Sequence, residues 1–273
     1  MTSARRSDAA TPVITTDAVS IRYQPRDHNS HLAVDDVTFE VRQGERFVLL
    51  GPSGCGKTSL LMAIAGFIKP ASGKLQVRGK PIVGPGPDRA VVFQDFDQLF
   101  PWRTVVGNLN YAAKLTLGLR GNEARQRSLR YLELVGIGQA ADRYPHQLSG
   151  GMKQRAAIAR ALSVEPALLL LDEPFGAVDE ITRTNLQREL VRICDSESMT
   201  VIMVTHSIPE AVYLADRVMV MSSGPGRIQK IVDTSAIDGF GHPAFGSTVE
   251  ELRLLLEEGS TPNGRGITQG AQQ

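Results

Sequence analysis

Phe47-Val48-Leu49-Leu50-Gly51-Pro52-Ser53-Gly54-Cys55-Gly56-Lys57-Thr58 passes from four apolar residues through a glycine-rich turn into Ser59 to Ala65, a stretch of good helix formers. The order is strand, glycine loop, helix. The spacing GxxxxGK[ST] is what a phosphate cradle requires: Gly51, Gly54 and Gly56 let backbone N–H groups converge on the anion, and the helix start adds its positive dipole end. Pro52, Ser53 and Cys55 complete the loop, with Ser59 just behind it. Lys57 reaches for the β- and γ-phosphates, and Thr58 offers a hydroxyl to Mg²⁺. Cys55 reads either as a reactive thiol or as a small side chain filling the loop.

Outward from this loop, short apolar runs recur at Ala90 to Phe93, Leu168 to Leu171 and Thr200 to Val204, unbroken enough to be strands buried on both faces. With helical stretches between them they specify an α/β protein with a mostly parallel core sheet. Upstream, Val13 to Tyr23 and Val34 to Val41 alternate with period two and read as antiparallel strands. Between Gln94 and Glu165 the composition is helical, at Val105 to Leu117, Asn122 to Leu134 and Met152 to Ser163, which gives a helical subdomain inserted between two core strands. Beyond Ile231 the chain thins into Gly, Pro and Ser around one amphipathic stretch, Val249 to Glu258, and ends in a polar tail. The expected organisation is a disordered 1–10, a main domain over 11–235 with its helical part at about 95–165, and an extension over 236–273 carrying one short helix.

Composition sets the outer limits. In 273 residues, 30 Lys and Arg balance 29 Asp and Glu, so nothing suggests a nucleic-acid surface. Two cysteines, Cys55 and Cys194, are too few for a disulfide framework or a four-ligand zinc site, and they suit a reducing compartment. No apolar run approaches the roughly 18 residues of a membrane span. The first dozen residues carry two Arg and no apolar run, unlike a secretory signal.

Two further stretches carry chemistry. Leu168 to Leu171 ends in Asp172-Glu173, an acidic pair at the carboxyl end of a buried strand, where open α/β sheets bind their ligands. Beside a phosphate loop, Asp172 reads as a Mg²⁺ holder and Glu173 as the group polarising a water that attacks the γ-phosphate; alone, the pair reads as an acidic turn before Pro174. Leu148-Ser149-Gly150-Gly151-Met152 opens a helix near Lys153 and forms a second glycine-rich helix start able to take an anion, although as an isolated pentapeptide it is a loop or cap.

From there Gln154-Arg155-Ala-Ala-Ile-Ala-Arg160-Ala-Leu resembles the signature helix of the ATP-binding-cassette (ABC) ATPases, and the resemblance extends over about residues 10 to 230. It implies the P-loop NTPase fold of that family and ATP with Mg²⁺ as ligands. Gln94 is similar to the Q-loop glutamine that touches Mg²⁺, Gly176-Ala177-Val178-Asp179 to the D-loop, His206 to the switch histidine on the γ-phosphate, and Tyr23 to the aromatic residue that stacks on adenine. Ser149, Gly150 and Gly151 are then expected to cap ATP held by the opposite chain of a homodimer.

Gly84 to Arg89, Leu99 to Trp102 and Ser222 to Arg227 resemble ATPases of the nitrate, sulfonate and taurine importers. With 67 residues after His206 (273 minus 206), the regulatory domain of sugar and polyamine importer ATPases is not expected in this sequence. The expected protein is an ATP hydrolase on the cytoplasmic face of the membrane, peripheral, joined to transmembrane permease subunits and, through them, to a solute-binding protein. Its expected cargo is a small anion. Phe96, Leu99, Phe100 and Trp102, bracketed by Asp95, Asp97 and Arg103, are expected to form the permease docking groove, with burial inside the helical subdomain as the competing reading. The alternative class is a soluble ABC-type ATPase of DNA repair or chromosome maintenance, which needs long heptad segments or zinc-binding cysteines.

Overall fold

The computed structural model describes residues 12–23, 30–176 and 180–260. The N-terminal ten residues, Ala177 to Asp179 and the polar tail beyond Ser260, all of them assigned from sequence, lie outside the described residues. In chain order the first half holds β1 (Pro12–Tyr23), β2 (His31–Arg42), β3 (Arg46–Leu50), α1 (Lys57–Ala65), β4 (Ser72–Val77), β5 (Lys80–Pro81), β6 (Arg89–Val92), α2 (Val105–Leu117) and α3 (Gly121–Leu134). There follow α4 (Gly150–Leu162), β7 (Leu168–Asp172), α5 (Glu180–Ser196), β8 (Val201–Thr205), α6 (Ile208–Leu214), β9 (Arg217–Met221), β10 (Ile228–Asp233) and α7 (Phe245–Ser260).

The strands form two sheets. One has four strands in the order β2-β1-β4-β5, all antiparallel. The other has six, β10-β9-β3-β8-β7-β6, parallel throughout except for β10 at the edge. Strand alternation explains why the parallel strands are unbroken apolar runs apart from a polar residue at one end. Phe47, Leu49, Leu168, Leu170, Ile202 and Val204 point into a core shared with α1 and the four-stranded sheet. Their neighbours Val48, Leu50, Leu169, Leu171 and Met203 point into a second core shared with the helices of the opposite face. Both faces are dry, so no polar alternation survives in the sequence.

Between β6 and β7 the chain leaves the sheet for α2, α3 and α4. Thr104 starts α2 by accepting from the Gly107 N–H, and the left-handed Gly118 ends it. Asn108, fully buried, holds the segment before α2: its side chain accepts from the Phe100 N–H at 2.8 Å and donates to the carbonyls of Phe100 and Thr104. The carboxyl-terminal α7 docks on the same face as α6, with Leu252 fully buried in the shared core.

One expectation fails at this point. Leu99 is 3% exposed and packs in the core with Val105, Val106 and Leu109, so it belongs to the interior and not to a surface groove. Phe100 is half-buried, edge-on to Tyr111 at 5.3 Å, and Trp102, 70% exposed, stands clear of the core; the side chain of Phe96 lies outside the described residues. Leu99→Ala is therefore expected to destabilise the folded chain by about 2–5 kcal/mol, as truncation of a buried leucine does. A urea titration checks this, and a midpoint equal to wild type would return Leu99 to the surface.

Candidate functional site

The parallel sheet decides where the site lies. β3, β8, β7 and β6 are neighbours in that order and run in the same direction, so the loops at their carboxyl ends emerge along one edge. Those loops carry Gly51–Thr58 after β3, His206 after β8, Glu173 after β7 and Gln94 after β6.

The phosphate loop is shaped by two glycines with positive φ, Gly54 at 78° and Gly56 at 95°. Gly56 is confined as well as twisted: a Cβ there would lie 2.5 Å from the Ala33 carbonyl oxygen. Cys55 is fully buried beneath the loop, and burial pushes its thiol above the usual cysteine range, which fits a packing role better than a reactive one. Lys57 is buried, and its Nζ donates to the carbonyls of Gly51 at 2.7 Å and Pro52 at 2.9 Å. Pro52 is half-buried, Ser53 exposed, and α1 begins at Lys57 with the loop N–H groups at its positive end.

Thr58 and Asp172 meet: the Thr58 hydroxyl donates to Asp172 Oδ1 at 3.0 Å. Burial raises the Asp172 carboxyl above its ordinary range and the neighbouring Glu173 charge adds to this, while the Thr58 hydrogen bond and the Lys57 charge pull it down. A hydroxyl and a carboxylate side by side suit a Mg²⁺ that keeps waters and takes its remaining ligands from phosphate. The residues present thus fit both a triphosphate and its metal.

Glu173 takes a left-handed backbone, φ 44°, uncommon for a residue other than glycine. Its N–H donates to the Val204 carbonyl at 3.0 Å, and its Oε2 lies 3.1 Å from His206 Nδ1. Gln94 comes near the same place, since a Cβ built on Gly176 would lie 3.5 Å from Gln94 Nε2 and 3.7 Å from Glu173 Oε2. Tyr23, 40% exposed, donates its hydroxyl to Ser59 Oγ at 2.9 Å, which attaches it to the first turn of α1.

Sequence reading missed a buried network that flanks His206 in the chain. Glu210 is buried in α6; one carboxylate oxygen accepts from the Thr205 hydroxyl and the other from Gln187 Nε2 at 2.8 Å. Burial raises the Glu210 carboxyl, and these two hydrogen bonds oppose the rise. A signal existed: Ser207-Ile208-Pro209-Glu210 has the S-x-x-E spacing of a helix start, and Ser207 Oγ does accept from the Glu210 N–H at 3.4 Å.

Ser149, Gly150 and Gly151 stand elsewhere. Ser149 is exposed at the start of α4, accepting from the Met152 N–H. Among the described residues, no recorded hydrogen bond joins Leu148–Met152 to Gly51–Thr58.

A glycine loop between a parallel strand and a helix, facing a carboxylate from the end of another strand of the same sheet, defines a P-loop protein. Residues 34–176, just over half of the chain, match the ABC transporter family. The nitrate import ATP-binding protein NrtD of Synechococcus elongatus is 49% identical over 202 residues, covering 74% of this chain and 73% of that protein. The bicarbonate transport ATP-binding protein CmpC of the same organism is 45% identical over 238 residues, covering 84% of this chain. The chain spans only 36% of the length of CmpC. Among solved structures, the dimeric bacterial ABC transporter cassette MJ0796 superposes with a TM-score of 0.71 at 29% identity, over 81% of this chain and 98% of that one. This chain belongs to the ABC transporter family, and its fold is that of the family's cassettes.

Proposed function

We propose that the chain is the ATP-binding and ATP-hydrolysing subunit of an importer for a small anion, acting on separate permease subunits. The observation that carries this reading is the convergence of Gly51–Thr58, Asp172, Glu173, Gln94 and His206 on one edge of the parallel sheet. In this mechanism the loop N–H groups and Lys57 bind the phosphates, and Lys57 exchanges its two carbonyl partners for phosphate oxygens. Thr58 and Asp172, with Gln94 close by, would hold Mg²⁺, which would supply charge neutralisation to the phosphates. Glu173 Oε2 accepts the proton of the attacking water, while His206 holds the carboxylate and lies beside the γ-phosphate. Tyr23 offers its ring to adenine.

The dimeric cassette structure supports a homodimer in which Ser149, Gly150 and Gly151 of one chain face the nucleotide of the other. Asp179 is assigned to the same interface. The names of NrtD and CmpC support a planar oxyanion such as nitrate or bicarbonate as cargo, in place of the wider sulfonate and taurine range. The DNA-maintenance alternative requires a long coiled arm, whereas α2, α3 and α4 are 13, 14 and 13 residues long. Among the described residues no helix is long and apolar enough to cross a membrane, and attachment from the cytoplasmic side through a permease is part of this proposal.

The test is ATP hydrolysis by the chain with and without its neighbouring permease in proteoliposomes loaded with nitrate or bicarbonate binding protein. Permease-dependent stimulation supports the reading, and phosphate appearing on a small-molecule acceptor overturns it. Phe100 and Trp102, with ring centroids 5.4 Å apart beside the Gln94 segment, are the permease contact in this proposal. Trp102→Ser should therefore abolish transport while the isolated chain keeps its basal hydrolysis and its melting temperature. Wild-type transport by this variant would move the contact elsewhere.

A further inference from the structure

The segment Ser222–Arg227, between β9 and β10, touches the phosphate loop from behind. Gly226 lies so close that a Cβ built on it would fall 1.9 Å from the Cys55 carbonyl oxygen and 2.8 Å from Met221 Cε. Its N–H donates to the Ala33 carbonyl at 2.9 Å, and its own carbonyl accepts from the Asp35 N–H at 3.0 Å. Arg227 closes the join by donating from Nε to Asp35 Oδ2 at 3.0 Å. The Ala33 carbonyl oxygen is also the atom that confines Gly56. Three backbones therefore meet at close quarters: the phosphate loop, the start of β2 and this segment.

The segment is held from its other side by the carboxyl end of α7. Ser223 donates to the Gly259 carbonyl twice, from its backbone N–H at 3.0 Å and from its hydroxyl at 2.8 Å. That carbonyl lies in the last turn of α7, where no intrahelical donor remains. Lys230 Nζ pairs with Glu251 at 2.6 Å and fixes the helix against β10.

We propose that Ser222–Arg227 is a strut that sets the shape of the phosphate loop, with α7 as its anchor, so that Ser223 and Gly226 are positioning residues for the bound nucleotide. This rests on the reading of Gly51–Thr58 as the triphosphate site. The loop binds through backbone N–H groups, whose direction depends on where Cys55 and Gly56 sit. The Gly226 backbone lies directly against the Cys55 carbonyl, so displacement of Gly226 is passed to the donors.

The experiment is equilibrium binding of ATP with Mg²⁺ to the full chain, together with KM and kcat for hydrolysis, for wild type, Gly226→Ala, Ser223→Ala and Ser223→Thr. Gly226→Ala is expected to weaken binding about tenfold or more, because small misplacements of donor groups are costly. Ser223→Ala is expected to raise Kd and KM about fivefold with kcat at saturating ATP retained, the scale of one lost hydrogen bond. Ser223→Thr, which keeps the hydroxyl, should restore most of this. If Gly226→Ala does not fold, Ser223→Ala and its rescue decide the matter alone. Wild-type Kd in a folded Gly226→Ala protein, or a Ser223→Ala protein changed only in melting temperature, overturns the strut. Wild-type protein that binds no ATP would instead overturn the reading of the site, and Lys57→Ala, expected to lose binding, separates the two failures.

Discussion

Glu173→Gln is expected to leave ATP binding intact and to slow turnover about 10²- to 10⁴-fold, the range that a positioned general base contributes. The substitution preserves the shape of the side chain and the left-handed backbone beneath it, so the 3.1 Å approach to His206 Nδ1 can persist as an amide contact. The phosphate loop lies on another strand and is untouched. What is lost is the ability of one oxygen to take a proton from water. The check is a single-turnover measurement with bound ATP beside a steady-state assay, and multiple turnovers near the wild-type rate would remove Glu173 from the chemistry. The protein should also gather as a dimer when ATP and Mg²⁺ are added, since bound nucleotide is no longer consumed. Sedimentation showing only monomer under these conditions would count against two composite sites.

The second large effect is expected from mixing two inactive proteins. Ser149→Arg places a cation at the exposed start of α4, and Lys57→Ala empties the phosphate loop of its ammonium. Each homodimer should be inactive. In a 1:1 mixture half of the dimers combine both chains, and each of these holds one site with Lys57 and Ser149 intact, so activity should return to about a quarter of wild type. Recovery is the signature of sites shared across a two-fold axis. An active Ser149→Arg homodimer, or a mixture without activity in which mixed dimers are shown to form, would mean that the start of α4 does not act on the partner's nucleotide.

Much of this site was legible because it is contiguous. Gly51–Thr58 needs eight adjacent residues with a strand before and a helix after, and local chemistry imposes that order whatever surrounds it. The buried strands β3, β7 and β8 showed as unbroken apolar runs because both faces of the sheet are covered. β9 was not among the strands read from sequence, although Val218 to Met221 is an apolar run as long as Phe47 to Leu50. β10 is an antiparallel edge strand with Gln229 and Lys230 in its middle, and α6 is a seven-residue helix with Pro209 in its first turn, so neither has a period to read. Leu99 was misplaced for a different reason: its polar neighbours suggested a surface, and the buried Asn108 that turns the segment inward acts nine residues later in the chain. Glu210 and Gln187 are 23 residues apart and form one network only after α5 and α6 have packed.

The position of β3 in the sheet also bears on how the protein is made. β3 precedes the helical insertion in the chain, yet both of its neighbours, β8 and β9, follow it. During synthesis the phosphate loop is therefore complete in sequence long before the strands that flank it exist. Until Thr205 has left the ribosome β3 has no partner strand, until Met221 has left it has only one, and pairing across so long a separation is intrinsically slow. The antiparallel sheet of β1, β2 and β4 has all its members early and is free to form first. Nucleotide capture then marks the close of folding, and a nascent chain arrested before β9 should not be rescued by ATP.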